Sequence, residues 1–151
     1  MMTSDFFGKW LQLKKSKLSP TTFVSYADIV ERFLNPAFGD MEIDTISAFD
    51  VELFLMGLLE AEFAPGTVKR VYSVFRSSMT KAAKLGLIHD NPTGSEKIDP
   101  LPSGRKEIEF FSAAEVQLIL SALRREPLRW KCYGRMAIDS GCRRGELVGL
   151  Q

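Results

Sequence analysis

Two adjacent arginines, Arg143 and Arg144, are the side chains of this 151-residue chain best suited to chemistry. A helical pattern breaks just before them at Gly141, which can take the left-handed conformation that ends a helix. The pattern then restarts, and the first turn of a helix offers unpaired N–H groups and a positive dipole end to an anion. Arg143 adds a planar guanidinium that binds two phosphate oxygens at once. The segment therefore predicts either phosphate binding or a surface ion pair with Glu146.

A second candidate group lies on one face of a predicted long helix from Thr67 to Leu85. At about 100° per residue, eight of its polar residues fall within roughly 140° of arc. They are Lys69, Arg70, Ser73, Arg76, Ser77, Thr80, Lys81 and Lys84. Lysine and arginine attract phosphate by releasing counterions, and hydroxyls and arginines reach base edges when a helix enters the major groove. The face indicates nucleic-acid binding, although a face that only keeps the helix solvated gives the same pattern.

Charge is segregated along the chain, although the formal net charge is only +1. Residues 40–64 contain seven acids and no Lys or Arg, whereas residues 66–89 contain five bases and no acid. An acidic helix repels a phosphate backbone. We therefore expect the helix within residues 40–64 to face away from any DNA bound by the basic one.

Helical periodicity of 3.6 residues dominates the sequence and predicts the elements that position these side chains. The first predicted helix runs from Ser4 to Lys15, and the second begins at Ser19 and Pro20 and ends near Asn35 and Pro36. A capping box at Ser47 opens the third helix. On the second helix, four polar residues fall away from the apolar stripe: Thr21, Thr22, Ser25 and Arg32.

Residues 93–106 interrupt these patterns with prolines and glycines and have no apolar periodicity, which is typical of an interdomain linker. We predict a helical domain over residues 1–92, a linker over 93–107 and a second domain over 108–151. In the second domain, Ile108, Phe110 and Phe111 suggest a short extended piece. A capping box at Ser112 and a proline at position 127 then begin two helices.

The composition excludes several classes of function. No apolar run approaches the roughly 18 residues that span a bilayer, and the first residues do not resemble a secretion signal, so we expect a cytoplasmic protein without a membrane partner. Two cysteines without metal-type spacing and a single histidine predict no metal site. We expect no cofactor.

Ser140-Gly141-Cys142-Arg143-Arg144-Gly145-Glu146-Leu147 resembles the box around the first catalytic arginine of tyrosine recombinases. The usual string in that family is Thr-Gly-Leu-Arg-x-Gly-Glu-Leu, so Ser140 and Cys142 are mild departures. The resemblance extends back through Ser19-Pro-Thr-Thr, Ala64-Pro-Gly-Thr-Val-Lys-Arg and Gly86-Leu-Ile-His-Asp-Asn-Pro92. It thus covers nearly the whole chain.

The resemblance implies a four-helix core-binding bundle of the SAM-like type, a linker, and the first helices of an otherwise mixed α/β catalytic domain. The chain itself is therefore expected to be all-α. Arg143 matches the arginine that holds the scissile phosphate, and Glu146 matches an acidic residue that supports the site. In that family the second helix lies against DNA, so Thr21, Thr22, Ser25 and Arg32 become candidate contacts, with an ordinary wet face as the alternative. Together with the basic face of the fourth helix, the candidate DNA contacts are Thr21, Thr22, Ser25, Lys69, Arg70, Ser73, Arg76, Thr80 and Lys84.

The family cleaves DNA without a metal: a tyrosine attacks the phosphate while positioned cations stabilise the transition state. In that family the tyrosine and most of the catalytic set follow the first arginine box, and this sequence ends at Gln151. We therefore expect the N-terminal fragment of a bacterial or phage-encoded site-specific recombinase. The fragment would bind double-stranded DNA, and the parent would assemble as a tetramer on it.

Two alternatives stay open. One is a helical DNA-binding regulator without catalytic activity, and an uninterrupted reading frame beyond Gln151 would argue against it. The other is a helical protein-interaction module, in which the acidic third helix meets a basic partner. Salt-dependent affinity for DNA would argue against the second.

Overall fold

The computed structural model describes residues 1–102 and 110–149 and divides the chain into two compact units, Met1–Arg105 and Lys106–Gln151. Helices build both units, and the described residues contain no named strand, only an isolated bridge between Met2 and Glu42. The prediction of an all-α chain is therefore confirmed. The first unit contains α1 (Thr3–Lys15), α2 (Pro20–Ile29), a π-helical turn (Val30–Leu34), α3 (Asn35–Phe38), α4 (Ala48–Glu60) and α5 (Pro65–Lys84).

Side-chain caps begin three helices at the residues that the sequence predicts. The Ser19 hydroxyl accepts the backbone N–H of Thr22 at 3.3 Å, and Pro20 occupies the first turn of α2, where no N–H is needed. At α4, Ser47 and Asp50 cap each other's backbone N–H groups in a reciprocal capping box. These local bonds satisfy donors that the helix itself leaves free.

The second predicted helix continues further than expected. It passes through the π-helical turn, in which the backbone N–H of Asn35 bonds to the carbonyl of Val30, and it goes on through α3 to Phe38. A proline ring inside an α-helix clashes with the carbonyl four residues earlier. Helical backbone nevertheless continues past Pro36 to Phe38, and the predicted end near Asn35 and Pro36 is wrong.

Aromatic side chains from four helices form the core of the first unit. Phe75 of α5 is fully buried and stacks on Phe38 with ring centroids 4.7 Å apart. The rings of Phe7 in α1 and Phe54 in α4 pack edge-on against the Phe75 ring, with centroid distances of 6.2 and 6.5 Å. This core fixes α5 by its apolar face and leaves its polar face outside.

Residues 86–102 fold back onto the helices. Gly86 adopts a left-handed φ of 70° and lets the backbone N–H of Leu87 return to the carbonyl of Ala82. Further along, the Tyr72 hydroxyl donates to the carbonyl of Thr93 at 3.0 Å, and Ile98 joins the hydrophobic core.

The predicted linker therefore differs from the structure at its beginning, because residues 93–102 pack on the first unit rather than leaving it. Ile98 is buried without helical periodicity, so its anchoring role was not visible as a pattern. Residues 103–107 of the predicted linker and Ile108 of the predicted extended piece lie outside the described residues.

The second unit contains α6 (Ala113–Leu123), α7 (Leu128–Ser140) and α8 (Arg144–Val148). Ser112 and Glu115 form the predicted capping box of α6, and Pro127 precedes α7. Gly134 of α7 lies against Leu123, where an added Cβ would come within 2.5 Å of a leucine methyl carbon. Gly141 ends α7 with a φ of 63° in the left-handed region, as its position before the arginines predicts.

The capping box of α4 makes a prediction about acid stability. Hydrogen bonds from the Ser47 hydroxyl and then the Ser47 backbone N–H lower the pKa of the Asp50 carboxyl. A carboxyl whose pKa is lower in the folded state stabilises the fold at pH values above its unfolded-state pKa of about 3.9. This stabilisation is lost as the pH falls through the folded-state pKa. Asp50→Asn should therefore lower the free energy of unfolding at pH 7 by about 0.5–1 kcal/mol.

Urea unfolding of both proteins between pH 7 and pH 2 measures this difference, which should shrink once the pH falls below about 4. Asp40→Asn, at an exposed position outside any helix, is the matched control. A difference that is the same at every pH would contradict the role of the Asp50 carboxylate.

Candidate nucleic-acid interface

The polar face of α5 is the most strongly charged helix face in the first unit. Val68, Val71, Phe75, Met79 and Ala82 are buried on the opposite side, which turns the predicted basic residues outward. Lys69, Arg70, Ser73, Arg76 and Lys84 are exposed, and Thr80 is half-buried. The helix contains no acidic residue along its whole length. Its outer face can therefore attract a polyanion, because no carboxylate of the same helix offsets its positive charges.

One end of this face borders a groove between α2 and α5, here called the α2–α5 groove, which is lined by Ser25, Asp28, Arg32, Thr67 and Arg70 among others. The Arg70 guanidinium donates to the Ser25 hydroxyl at 2.6 Å, which joins two predicted DNA contacts that lie 45 residues apart. Arg32 pairs loosely with Asp28 at 3.5 Å. The structure thus brings Arg70 and Ser25 together at the mouth of this groove.

Thr21 and Thr22 lie at the beginning of α2. The Ser19 hydroxyl is 2.8 Å from the Thr22 hydroxyl and 3.3 Å from the Thr21 hydroxyl. The three hydroxyls therefore form one exposed cluster around the helix cap. They remain within reach of a ligand, but part of their hydrogen-bonding capacity serves the cap.

The other end of the face borders a groove between α1 and α5, here called the α1–α5 groove. It is lined by Lys14, Ser73, Arg76, Ser77, Thr80, Lys81 and Lys84. No carboxylate is among the lining residues. The structure thus gathers four predicted contacts, Ser73, Arg76, Thr80 and Lys84, around one cationic depression.

Two of the predicted contacts also hold the segment that follows α5. The Arg76 guanidinium donates to the Ser95 hydroxyl at 3.2 Å, and the Thr80 hydroxyl accepts from the Asn91 side-chain amide at 3.2 Å. Burial raises the pKa of the neighbouring Tyr72 hydroxyl. That hydroxyl stays protonated and donates to the carbonyl of Thr93. These hydrogen bonds hold the segment that follows α5 against the helix.

Lys14 lies at the basic end of α1, which the sequence leaves open as either a phosphate contact or a solvated helix end. Its Nζ atom lies 3.3 Å from the Ser77 hydroxyl and 5.5 Å from the ring centroid of Trp10. The signal in the sequence was a lysine four residues after a tryptophan, a spacing that places both on one helix face. The missing information was that this face meets α5, which lies 63 residues further along the chain.

Arg143 and Glu146 lie together at the start of α8. The Glu146 carboxylate accepts the backbone N–H of Arg143 at 2.8 Å, and its other oxygen is 3.7 Å from the Arg143 guanidinium. The Arg143 side chain is nevertheless 89% exposed. An exposed pair at this distance holds the guanidinium only weakly, so Arg143 remains open to an anion.

Over residues 1–102 and 110–149, no group of three His, Cys, Asp or Glu side chains could hold a metal ion. Within the same residues, no helix combines the length and the apolarity needed to cross a bilayer. Cys132 and Cys142 are both free thiols.

Comparison with known proteins shows similarity to phage integrases and tyrosine recombinases. Residues 3–59 match the profile described as phage integrase, N-terminal SAM-like domain. A tyrosine recombinase XerC-like protein of Caldanaerobacter subterraneus subsp. tengcongensis is 27% identical over 153 residues, which cover 97% of this chain and 39% of that protein. The chain thus spans about two fifths of the length of this relative.

Two solved structures share the fold at low sequence identity. A lambda integrase dimer bound to a COC′ core site matches with a TM-score of 0.82 at 15% identity, covering 100% of this chain and 42% of that one. The Tn1549 transposon integrase in complex with circular intermediate DNA matches with a TM-score of 0.80 at 15% identity, covering 100% and 50%. Residues 3–59 thus match a phage-integrase SAM-like domain, nearly the whole chain is similar to a tyrosine recombinase XerC-like protein, and its fold is that of two solved integrases.

Proposed function

We propose that this chain binds double-stranded DNA through the outer face of α5 and the neighbouring part of α2. The observation that carries the proposal is the acid-free face of α5, which is bordered by the α1–α5 and α2–α5 grooves. The acidic residues of the first unit are concentrated elsewhere, and Glu52 and Glu60 lie on α4. A phosphate backbone is therefore attracted to one side of the unit and repelled by another.

We further propose that the DNA-binding chain acts within a site-specific recombinase. The solved relatives are a lambda integrase dimer on a core site and a Tn1549 integrase on circular intermediate DNA. Another lambda integrase structure is a tetramer on a Holliday junction. By analogy, a protein that contains this sequence and a complete catalytic set would cleave and rejoin DNA as a tetramer.

Arg143 would hold the scissile phosphate in that protein. Its exposed guanidinium has the planar geometry that binds two phosphate oxygens, and Glu146 anchors the backbone from which it extends. The role is electrostatic, because a phosphoryl transition state needs positioned positive charge. The domain division that supports this arrangement is a helical DNA-binding part followed by a catalytic part beginning near residue 108.

Removing two charges from α5 tests the DNA interface. In the double variant Lys69→Ala/Arg70→Ala, we expect weaker binding to duplex DNA and a flatter dependence of log K on log[salt]. The slope should change by about one unit for each lost phosphate contact. Fluorescence anisotropy with a labelled duplex at several salt concentrations measures both quantities.

The matched control is Glu60→Gln/Glu62→Gln, which removes two charges at the end of the acidic stretch. This variant should bind DNA as the wild type does, or more tightly because repulsion is lost. An unchanged slope in the Lys69/Arg70 variant would move the interface away from this part of α5.

A further inference from the structure

We infer that Lys14, at the end of α1, completes a binding site for a DNA backbone phosphate together with Arg76, Lys81 and Lys84 of α5. The inference rests on the proposed DNA-binding function and assigns to the interface the end of α1, which the sequence leaves open between a phosphate contact and a solvated helix end. The site is the α1–α5 groove, a depression of about 410 Å³. Its ligand is a phosphodiester group of duplex DNA.

The charge of the groove is uncompensated. Four cationic side chains line it, and the other lining residues, Ser73, Ser77 and Thr80, carry neutral hydroxyls. Over residues 1–102 and 110–149, none of these four cations takes part in an ion pair with a carboxylate. Like charges gathered on one concave surface raise the local potential, and an anion that enters relieves their repulsion.

Lys14 is held in position before any ligand arrives. Its ammonium group lies near the ring of Trp10, which is almost fully buried and stacks on Tyr26 with centroids 5.8 Å apart. The Ser77 hydroxyl accepts from the same ammonium group at 3.3 Å. Fixing a lysine side chain usually costs rotamer entropy on binding, and this packing has already removed part of that freedom.

The shape of the charged surface favours a long polyanion over a small one. From Lys69 to Lys84, the basic face of α5 extends for about 22 Å at 1.5 Å per residue. A single phosphate ion would occupy only the α1–α5 groove, whereas a DNA backbone contacts the groove and the rest of the face together. Binding through several phosphates gives a steep dependence on salt, to which each contact contributes about 0.9 in the slope.

Replacement of Lys14 by methionine tests the inference in the whole 151-residue chain. Lys14→Met removes the charge but keeps an unbranched stem against Trp10, so the fold should survive; circular dichroism and the thermal midpoint check this. In duplex DNA binding, the slope of log K against log[salt] should be smaller in magnitude by about one. Lys14→Arg should retain the wild-type slope.

Lys9→Met is the matched control, because Lys9 is an exposed lysine of the same helix that does not line the groove. It should leave the slope unchanged. If Lys14→Met also has the wild-type slope while the wild type binds DNA in a salt-dependent way, the inference is overturned and the DNA-binding proposal stands. A wild-type chain with no salt-dependent affinity for DNA would overturn both.

A second experiment distinguishes a DNA phosphate from free phosphate as the ligand of the α1–α5 groove. Inorganic phosphate is titrated into the wild-type chain at constant ionic strength while the Lys14 side-chain NMR signal is followed. Saturation of that signal at low millimolar phosphate, together with an unchanged DNA slope in Lys14→Met, would assign the groove to a small anion and contradict the inference. A reduced slope with weak phosphate binding supports it.

Discussion

Arg143→Lys is expected to lower DNA cleavage by about 10²–10³-fold in a protein that joins this sequence to the remaining catalytic residues of a tyrosine recombinase. Lysine keeps the positive charge but loses the two-pronged guanidinium that matches two phosphate oxygens. Affinity for DNA and the free energy of unfolding should change little, because the Arg143 side chain is 89% exposed and 3.7 Å from its only carboxylate partner among the described residues. Suicide-substrate cleavage and thermal unfolding of the same protein measure both effects.

Arg144→Ala is the internal comparison, since Arg144 occupies the neighbouring position and is also exposed. Its effect on cleavage should be mild. The competing interpretation of Arg143 is a surface ion pair with Glu146, which predicts the reverse pattern, a loss of stability with normal cleavage for each folded molecule. Wild-type cleavage by Arg143→Lys would therefore remove Arg143 from the catalytic assignment.

Phe75→Ala should have the second large effect, a loss of about 3–5 kcal/mol in the free energy of unfolding. Phe75 is fully buried, and its ring contacts the rings of Phe7, Phe38 and Phe54. The truncation removes buried apolar surface and these aromatic pairs, and it leaves a cavity under α5. Because single domains are stable by only about 5–15 kcal/mol, the outer face of α5 should lose its order well below the wild-type melting temperature.

Phe49→Ala provides the control, because Phe49 lies on α4 with 66% of its surface exposed. Its effect should stay within about 0.5 kcal/mol. Urea unfolding followed by circular dichroism compares the two variants. Similar losses in both would mean that the aromatic core described around Phe75 does not hold the first unit together.

Local signals explain why so much of the helical fold was predictable. A serine followed by an acid three residues later caps α4 and α6, and Ser19 with Pro20 begins α2. Each device acts within one turn of helix, so the sequence contains all that is needed to identify it. The same holds for Gly141, whose left-handed φ ends α7 directly before Arg143.

Contacts between distant residues were not predictable in the same way. Ile98 and Thr93 have no periodicity around them, yet both are buried, and the Asp99 backbone N–H donates to Glu52 at 3.2 Å across 47 residues. Lys14 likewise becomes part of a cationic groove only because α1 meets α5. The exposed face of α5 was predictable from helical geometry, but its extension onto α1 required the tertiary structure.

The central claim is that duplex DNA lies on the outer face of α5, and amide chemical-shift mapping of the 151-residue chain tests it most directly. Titration with duplex DNA at low salt should shift the exposed residues of α5, the beginning of α2 and the end of α1. The amides of α4 should move little, because its acids repel phosphate. Shifts concentrated on α4, with α5 unaffected, would contradict the account.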